Sequence, residues 1–231
     1  MNPERFWCLE FHLQPLSELL IRQVGKSNVQ WFSYPFLPPT TFSGFIVSLL
    51  ANEGDEAWKK NYVEINDENT REVGAVFPEV ISVGAYPDPV LVRRNHHYRQ
   101  HLGDIYNYEE FAWKSSENKK LAMAEAFWTP RLRGFLLASG PEALKSLKVR
   151  SDLLFRSLRV GKKGVVKVEA VIGPYELTLQ SVQERVPSTI APFEMIKRFP
   201  KELELFHVPM RRKEGIPLVR EIYPCVFGLP I

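Results

Sequence analysis

Prolines at 35, 38 and 39 stand directly ahead of an apolar run with helical spacing, and few arrangements satisfy both. A proline fixes its own φ and drives the residue before it into extended conformations, so residues 34–39 form an extended lead-in. Thr40 or Thr41 is then a good helix N-cap. Phe42, Phe45, Ile46 and Leu49 follow at helical spacing, so one face of the helix is buried. Gly44 near its start permits close approach of another backbone. The acidic residues Glu53, Asp55, Glu56, Glu64, Asp67, Glu68 and Glu72 end the helix and read as a solvated stretch.

Around this element the chain alternates strands and helices. Trp7, Leu9, Phe11 and Leu13 alternate with Cys8, Glu10 and His12, the pattern of a half-buried strand that Pro15 ends. Residues 17–23 suit one or two helical turns. Residues 77–83 read as a strand, and a long insert follows over about 84–126. It opens on a basic, aromatic-interleaved run and closes on a helix-like run at 117–126. Residues 127–138 read as the next strand, with Pro130 implying an edge or a bulge. Pro141 opens a short helix to about 147. Strands are expected at 153–160, 165–172 and 175–182, and a last one at 222–227. This order matches an α+β, ferredoxin-like β-α-β-β-α-β core with a long hairpin insertion and a β-rich C-terminal region. The expected division is 1–164 for the core domain, with its insertion, and 165–231 for a C-terminal region packed on it.

Composition narrows the function. In 231 residues the hydrophobic fraction is 45%, so a packed core is expected. Two cysteines, Cys8 and Cys225, are too few for a disulfide framework or a Cys-rich zinc site. No apolar run is long enough to span a bilayer, and Glu4, Glu10 and His12 interrupt the first one, so a cytoplasmic protein without membrane contact is expected. The net charge of +3 says little by itself, but the charge is segregated. No acid occurs from Pro89 to Gly103, where Arg93, Arg94 and Arg99 stand among His96, His97, Tyr98 and His101. A second basic region, from Lys145 to Gly164, holds Lys145, Lys148, Arg150, Arg156, Arg159, Lys162 and Lys163 against the single acid Asp152.

Each motif has a plain reading beside a functional one. The helix start at Thr40 and Thr41 offers unpaired N–H groups to a phosphate, or is an ordinary cap. Guanidinium groups at 93, 94 and 99 can pair with phosphates and stack on bases, or belong to a solvated loop. The turn Gly161-Lys162-Lys163-Gly164 lets phosphates approach a backbone, or is a hairpin tip. Arg131 and Arg133 present a basic sheet face, or guard an edge strand. His97 and His101 lie four apart, but the Glu of a zinc-binding helix motif is missing and the arginines repel a cation, so no metal is expected. Gly25-Lys26-Ser27 lacks the upstream glycine of a phosphate-binding nucleotide loop, where Leu20 stands instead. Acid–base cleavage of RNA by His96, His97 and Tyr98 is the catalytic alternative to simple binding.

Three segments together resemble the Cas-five family of the RAMP superfamily. They are Tyr34-Pro35-Phe36-Leu37-Pro38-Pro39-Thr40-Thr41-Phe42-Ser43-Gly44, Trp128-Thr129-Pro130-Arg131-Leu132, and Leu158-Arg159-Val160-Gly161-Lys162-Lys163. Their order matches the family's, over roughly residues 1–175; Lys162-Lys163 replaces the family's usual Arg-Ser. The resemblance implies an RRM/RAMP-type fold with a thumb-like insertion. It implies a non-catalytic subunit of a type I CRISPR (Cascade) complex in antiviral defence, holding the crRNA 5′ handle and capping the backbone filament. The implied partners are crRNA, the Cas-seven type backbone subunits, the large subunit and, through the complex, target DNA. No cofactor is implied. Lys26, Thr40, Thr41, Arg93, Arg94, His97, Arg99, Arg131, Arg133, Arg159, Lys162 and Lys163 are the expected RNA contacts. One branch of the family cleaves repeat RNA without a metal, and the two alternatives remain an endoribonuclease and a subunit that touches only proteins.

Overall fold

A computed structural model describes residues 5–23, 30–51, 80–89, 91–100, 105–107, 112–114, 121–152, 157–161, 163–178, 190–192, 203–212 and 220–228. The alternation at the N-terminus becomes strand β1, Trp7–Pro15. Its Leu9, Phe11 and Leu13 are fully buried. β1 lies at the centre of a five-stranded antiparallel sheet. On one side it pairs with β8 (Leu132–Ala138), which pairs in turn with β3 (Val80–Pro87). On the other it pairs with β10 (Val165–Glu176), whose own outer neighbour is β9 (Ser157–Arg159). Helix α1 (Pro39–Ala51) connects β1 to β3, and helix α2 (Pro141–Asp152) connects β8 to the β9–β10 hairpin. With β10 as fourth strand, the order β3-β8-β1-β10 is the ferredoxin-like arrangement. The boundary expected at 164 thus falls between two strands of one sheet.

The proline lead-in works as its chemistry requires, with one difference. Helix α1 begins at Pro39, whose missing N–H costs nothing at a first helical position. The Pro38 carbonyl accepts the first helical bond, from Phe42 N–H at 2.9 Å. Thr40 and Thr41 therefore lie in the first turn and are not N-caps, and the Thr40 hydroxyl has no hydrogen-bond partner. Phe42 meets Phe11 edge-on, with ring centroids 5.7 Å apart, and lies over Gly134 of β8. A Cβ on Gly134 would stand 2.4 Å from the Phe42 ring, so the glycine makes room for the helix. Burial of α1 exceeds one face, since Val47 and Leu50 join Phe42, Phe45, Ile46 and Leu49. The reason is a second layer. Strand β12 (Leu203–Arg212) packs on α1 and sends Phe206 and Val208 into the same core. Phe206 meets Tyr34 and Phe36 of the lead-in, and the Tyr34 hydroxyl donates to the His207 carbonyl. β12 pairs with β13 (Arg220–Gly228), which also carries the short strand β11 (Ala191–Pro192).

Between β3 and β8 the chain makes a long excursion. β4 (Arg93–Gln100) and β7 (Leu121–Trp128) form an antiparallel ladder, with β5 (Ile105–Asn107) paired to β6 (Ala112–Lys114) between them in sequence. The helix expected at 117–126 is a strand from Leu121 onward. Its alanines favour a helix locally, but they alternate with Leu121, Met123, Glu125 and Phe127, and pairing with β4 decides the outcome. The strand expected over 127–138 is two strands in two sheets. Thr129, Pro130 and Arg131 make the turn between them, because Pro130 cannot donate to a ladder. Residues 17–23 are extended instead of helical. Leu19 exchanges backbone bonds with Phe127, and Leu20 N–H donates to the Lys163 carbonyl at 2.7 Å. The short strand β2 (Gln30–Trp31) continues along the same side of β7.

Candidate nucleic-acid interface

The extended segment 17–22 brings together the two basic stretches singled out in the sequence. On one side it borders β7 and, through it, β4; on the other it borders the 161–164 turn. The glycines of that turn serve this packing. Gly161 (φ +61) and Gly164 (φ +131) occupy backbone conformations that suit glycine, and a Cβ would lie 2.5 Å from Ile21 Cδ1 or 2.4 Å from Leu19 Cδ2. The turn is thus clamped to the segment by its glycines while Lys163 faces solvent.

Strand register then sorts the β4 run. Arg93, Asn95 and His97 share one face, where Trp128, Ala126 and Ala124 of β7 stand opposite them. The two alanines leave room across the strands, and Glu18 reaches over it. Its carboxylate accepts from the Asn95 amide and from His97 Nε2, the latter at 2.6 Å. The Asn95 bond holds Glu18 below the usual carboxylate range; burial opposes this, and the bond and charge of His97 and the charge of Lys163 reinforce it. Arg93 and Trp128 are exposed at the end of this face. A basic side chain beside an exposed indole suits a phosphate and a stacked base.

The opposite parity goes elsewhere. Arg94 forms an ion pair with Glu204 of β12 at 2.5 Å, tying the excursion to the C-terminal sheet. His96 lies 3.5 Å from Glu125, its cross-strand neighbour. His96 and His97 therefore point to opposite faces with separate carboxylates, and do not flank one phosphate together.

Arg131 and Arg133 lie apart from this surface. β8 is an interior strand, so the edge-guarding reading of Arg133 does not hold. Arg133 lies across Glu10, with Nε and a terminal nitrogen 2.7 and 3.0 Å from its oxygens. Glu10, expected on the wetter side of β1, is 5% exposed. Burial pushes Glu10 upward, but hydrogen bonds from Arg133, His12 and Tyr175 and the Arg133 charge overturn this and hold it at about 2. Burial, then Cys8 and Glu10, push the Tyr175 hydroxyl well up. Asp88 lies 3.5 Å from Arg131 and 3.6 Å from Arg133. Both arginines are thus committed to carboxylates within the protein.

Tyr98 and Arg99 lie on β4 and Arg159 on β9; Lys26, Lys162 and the acidic stretch lie outside the described residues. Glu18, Asn95 and Trp128 escaped sequence reasoning. Only the β4–β7 register and the extended path of residues 17–22 bring them beside His97, though the alternation Arg93, Asn95, His97 was visible. Among the described residues no three His, Cys, Asp or Glu side chains could hold a metal ion, and no helix is long and apolar enough to cross a membrane.

No family model and no curated protein matches the sequence. Among solved structures the chain is similar to part of a Type III-B Cmr-beta assembly bound to cognate target RNA, at 12% identity and a TM-score of 0.44, with 73% of this chain and 60% of that one covered. It is also similar to a CRISPR protein from Archaeoglobus fulgidus, at 17% identity and a TM-score of 0.43, covering 97% and 86% of the two chains. A third similarity is to a chain of a CRISPR RNA-guided surveillance complex, at 11% identity and a TM-score of 0.38, covering 97% and 90%. The chain spans less than two thirds of the length of the first of these.

Proposed function

We propose that this chain is a non-catalytic RNA-binding subunit of a CRISPR effector complex, and that it holds the 5′ end of a guide RNA across the face of β4 and the 161–164 turn. The observation that carries the reading is the convergence of Arg93, Asn95, His97, Trp128 and Lys163 on one open surface, built from three separate segments of the chain. The ferredoxin-like topology and the ordered resemblance of three segments to the Cas-five family support it. In that reading the β4–β7 excursion is the thumb, which contacts a neighbouring backbone subunit. Assembly in a type I Cascade, with Cas-seven type and large subunits, and contact with target DNA through the complex follow from the same resemblance. Arg99, Arg159, Lys162, Lys26, Thr40 and Thr41 are secondary candidates for phosphate contact.

The test is RNA binding followed by fluorescence anisotropy over a range of salt. Phosphate contacts release counterions, so affinity should fall linearly on logarithmic axes. Arg93→Ala combined with Lys163→Ala should weaken binding and flatten the slope by roughly 1.4, at about 0.7 per contact with single-stranded RNA. These two residues are chosen because Arg94 also ties β4 to β12, so its loss would confound folding with binding. An unchanged slope would remove this surface from consideration. Incubation with a repeat transcript in EDTA separates binding from the endoribonuclease alternative, which requires cleavage that His97→Ala abolishes.

A further inference from the structure

We propose that the Glu18 carboxylate occupies the position of one RNA backbone phosphate, and that it swings away when a phosphodiester enters. This rests on the RNA-binding reading above. Both groups are anions that accept several hydrogen bonds at once, so donors that converge on one can converge on the other. Here the donors come from β4 and the nearby cation from the 161–164 turn, whereas the anion comes from a third segment.

The surroundings make exchange feasible. The Glu18 side chain is 26% exposed and that of His97 43%, so the pair is open to solvent from one side. The backbone on either side of the exchange stays pinned, because Leu19 and Leu20 keep their bonds to Phe127 and Lys163 whatever the Glu18 side chain does. A partly exposed pair of this kind is worth little in net stability, so a phosphate bringing further contacts to Arg93 and Trp128 can replace it. Until then the carboxylate accepts from Asn95 and His97 and masks the basic surface against stray anions.

The experiment compares wild type, Glu18→Gln, Glu18→Asp and Glu169→Gln in binding a short fluorescein-labelled single-stranded RNA, with thermal unfolding run on each. Glu169→Gln removes one negative charge from an exposed position on β10 and controls for general electrostatics; Glu204 is not used, because its loss would break the tie to Arg94. The expected result is binding tighter by roughly three- to tenfold in Glu18→Gln, near-wild-type affinity in Glu18→Asp, and a smaller gain in Glu169→Gln. Wild-type binding with an equal or weaker Glu18→Gln overturns the proposal and makes Glu18 a positioning residue for Asn95 and His97. An equal gain in Glu169→Gln overturns it too, reducing the effect to net charge. Binding by none of the four proteins sinks the RNA reading and this proposal with it.

Discussion

Glu10 on β1 makes the stability of this fold dependent on acid in a way that one substitution should isolate. Its carboxylate is nearly buried, yet it accepts from Arg133, His12 and Tyr175 and titrates at about 2, against an ordinary value of 4.5. The folded pKa is depressed, so the stabilisation is fully present above the unfolded pKa and is lost as pH falls through the folded one. Taken at face value the shift corresponds to about 3 kcal/mol at neutral pH, with about half of it gone near pH 3. Arg133 is 38% exposed, and solvent screening of that partner reduces the expected figure to about 1–3 kcal/mol. Glu10→Gln keeps the shape and removes the charge. Urea unfolding of both proteins at a series of pH values should show the variant less stable by that amount at pH 7, with the difference closing as pH falls from about 4.5 toward 2. Taking the difference cancels the contributions of carboxylates remote from Glu10. A gap below about 0.5 kcal/mol at pH 7, or one that stays constant down to pH 2, would refute the assignment of Glu10 as an ionised, buried acceptor.

Other consequences follow from packing. Gly134→Ala drives a methyl group into the Phe42 ring and should cost about 1–3 kcal/mol by thermal or chemical unfolding. Phe206→Ala removes the ring that seats β12 against Tyr34 and Phe36 and should cost about 3–5 kcal/mol. Gly161→Ala with Gly164→Ala should loosen the turn from residues 18–21, seen as faster amide exchange at Leu20 with the β1–β8 ladder unaffected.

The core was legible because its signals are local. Alternation at Leu9, Phe11 and Leu13, the Pro38-Pro39 entry into α1 and Pro141 at the start of α2 each act within a few residues, and each element is present, though α1 begins at Pro39 ahead of the expected threonine cap and α2 runs on to Asp152. Two of the failures share one cause, which is long-range pairing. Residues 17–23 have helical composition but lie between Phe127 and Lys163, whose backbone groups they satisfy. The alanine-rich stretch before Phe127 pairs with β4 instead of coiling. Strand β12 carries Pro209 within it, and a proline inside a run argues against a strand when only the sequence is read.

The same dependence on pairing reshapes the charge argument. In sequence, residues 89–103 lack any acid, and the run looks uniformly basic. In the fold each imidazole or guanidinium at 94, 96 and 97 faces a carboxylate from a different element: Glu204 of β12, Glu125 of β7 and Glu18 of the extended segment. A count of charges along the chain therefore overstates the field that an approaching anion meets. What remains for recognition is set by register. On one parity of β4, Arg94 holds the excursion to β12 and His96 faces Glu125 of β7 within the excursion itself. The other is backed by alanines, flanked by Trp128 and Arg93, and closed by the Glu18 carboxylate, the group that the proposed exchange displaces. Specificity on such a surface would come from the spacing between Lys163 and Arg93 more than from the number of cations, because the 18–20 segment sets that spacing through backbone bonds on both sides.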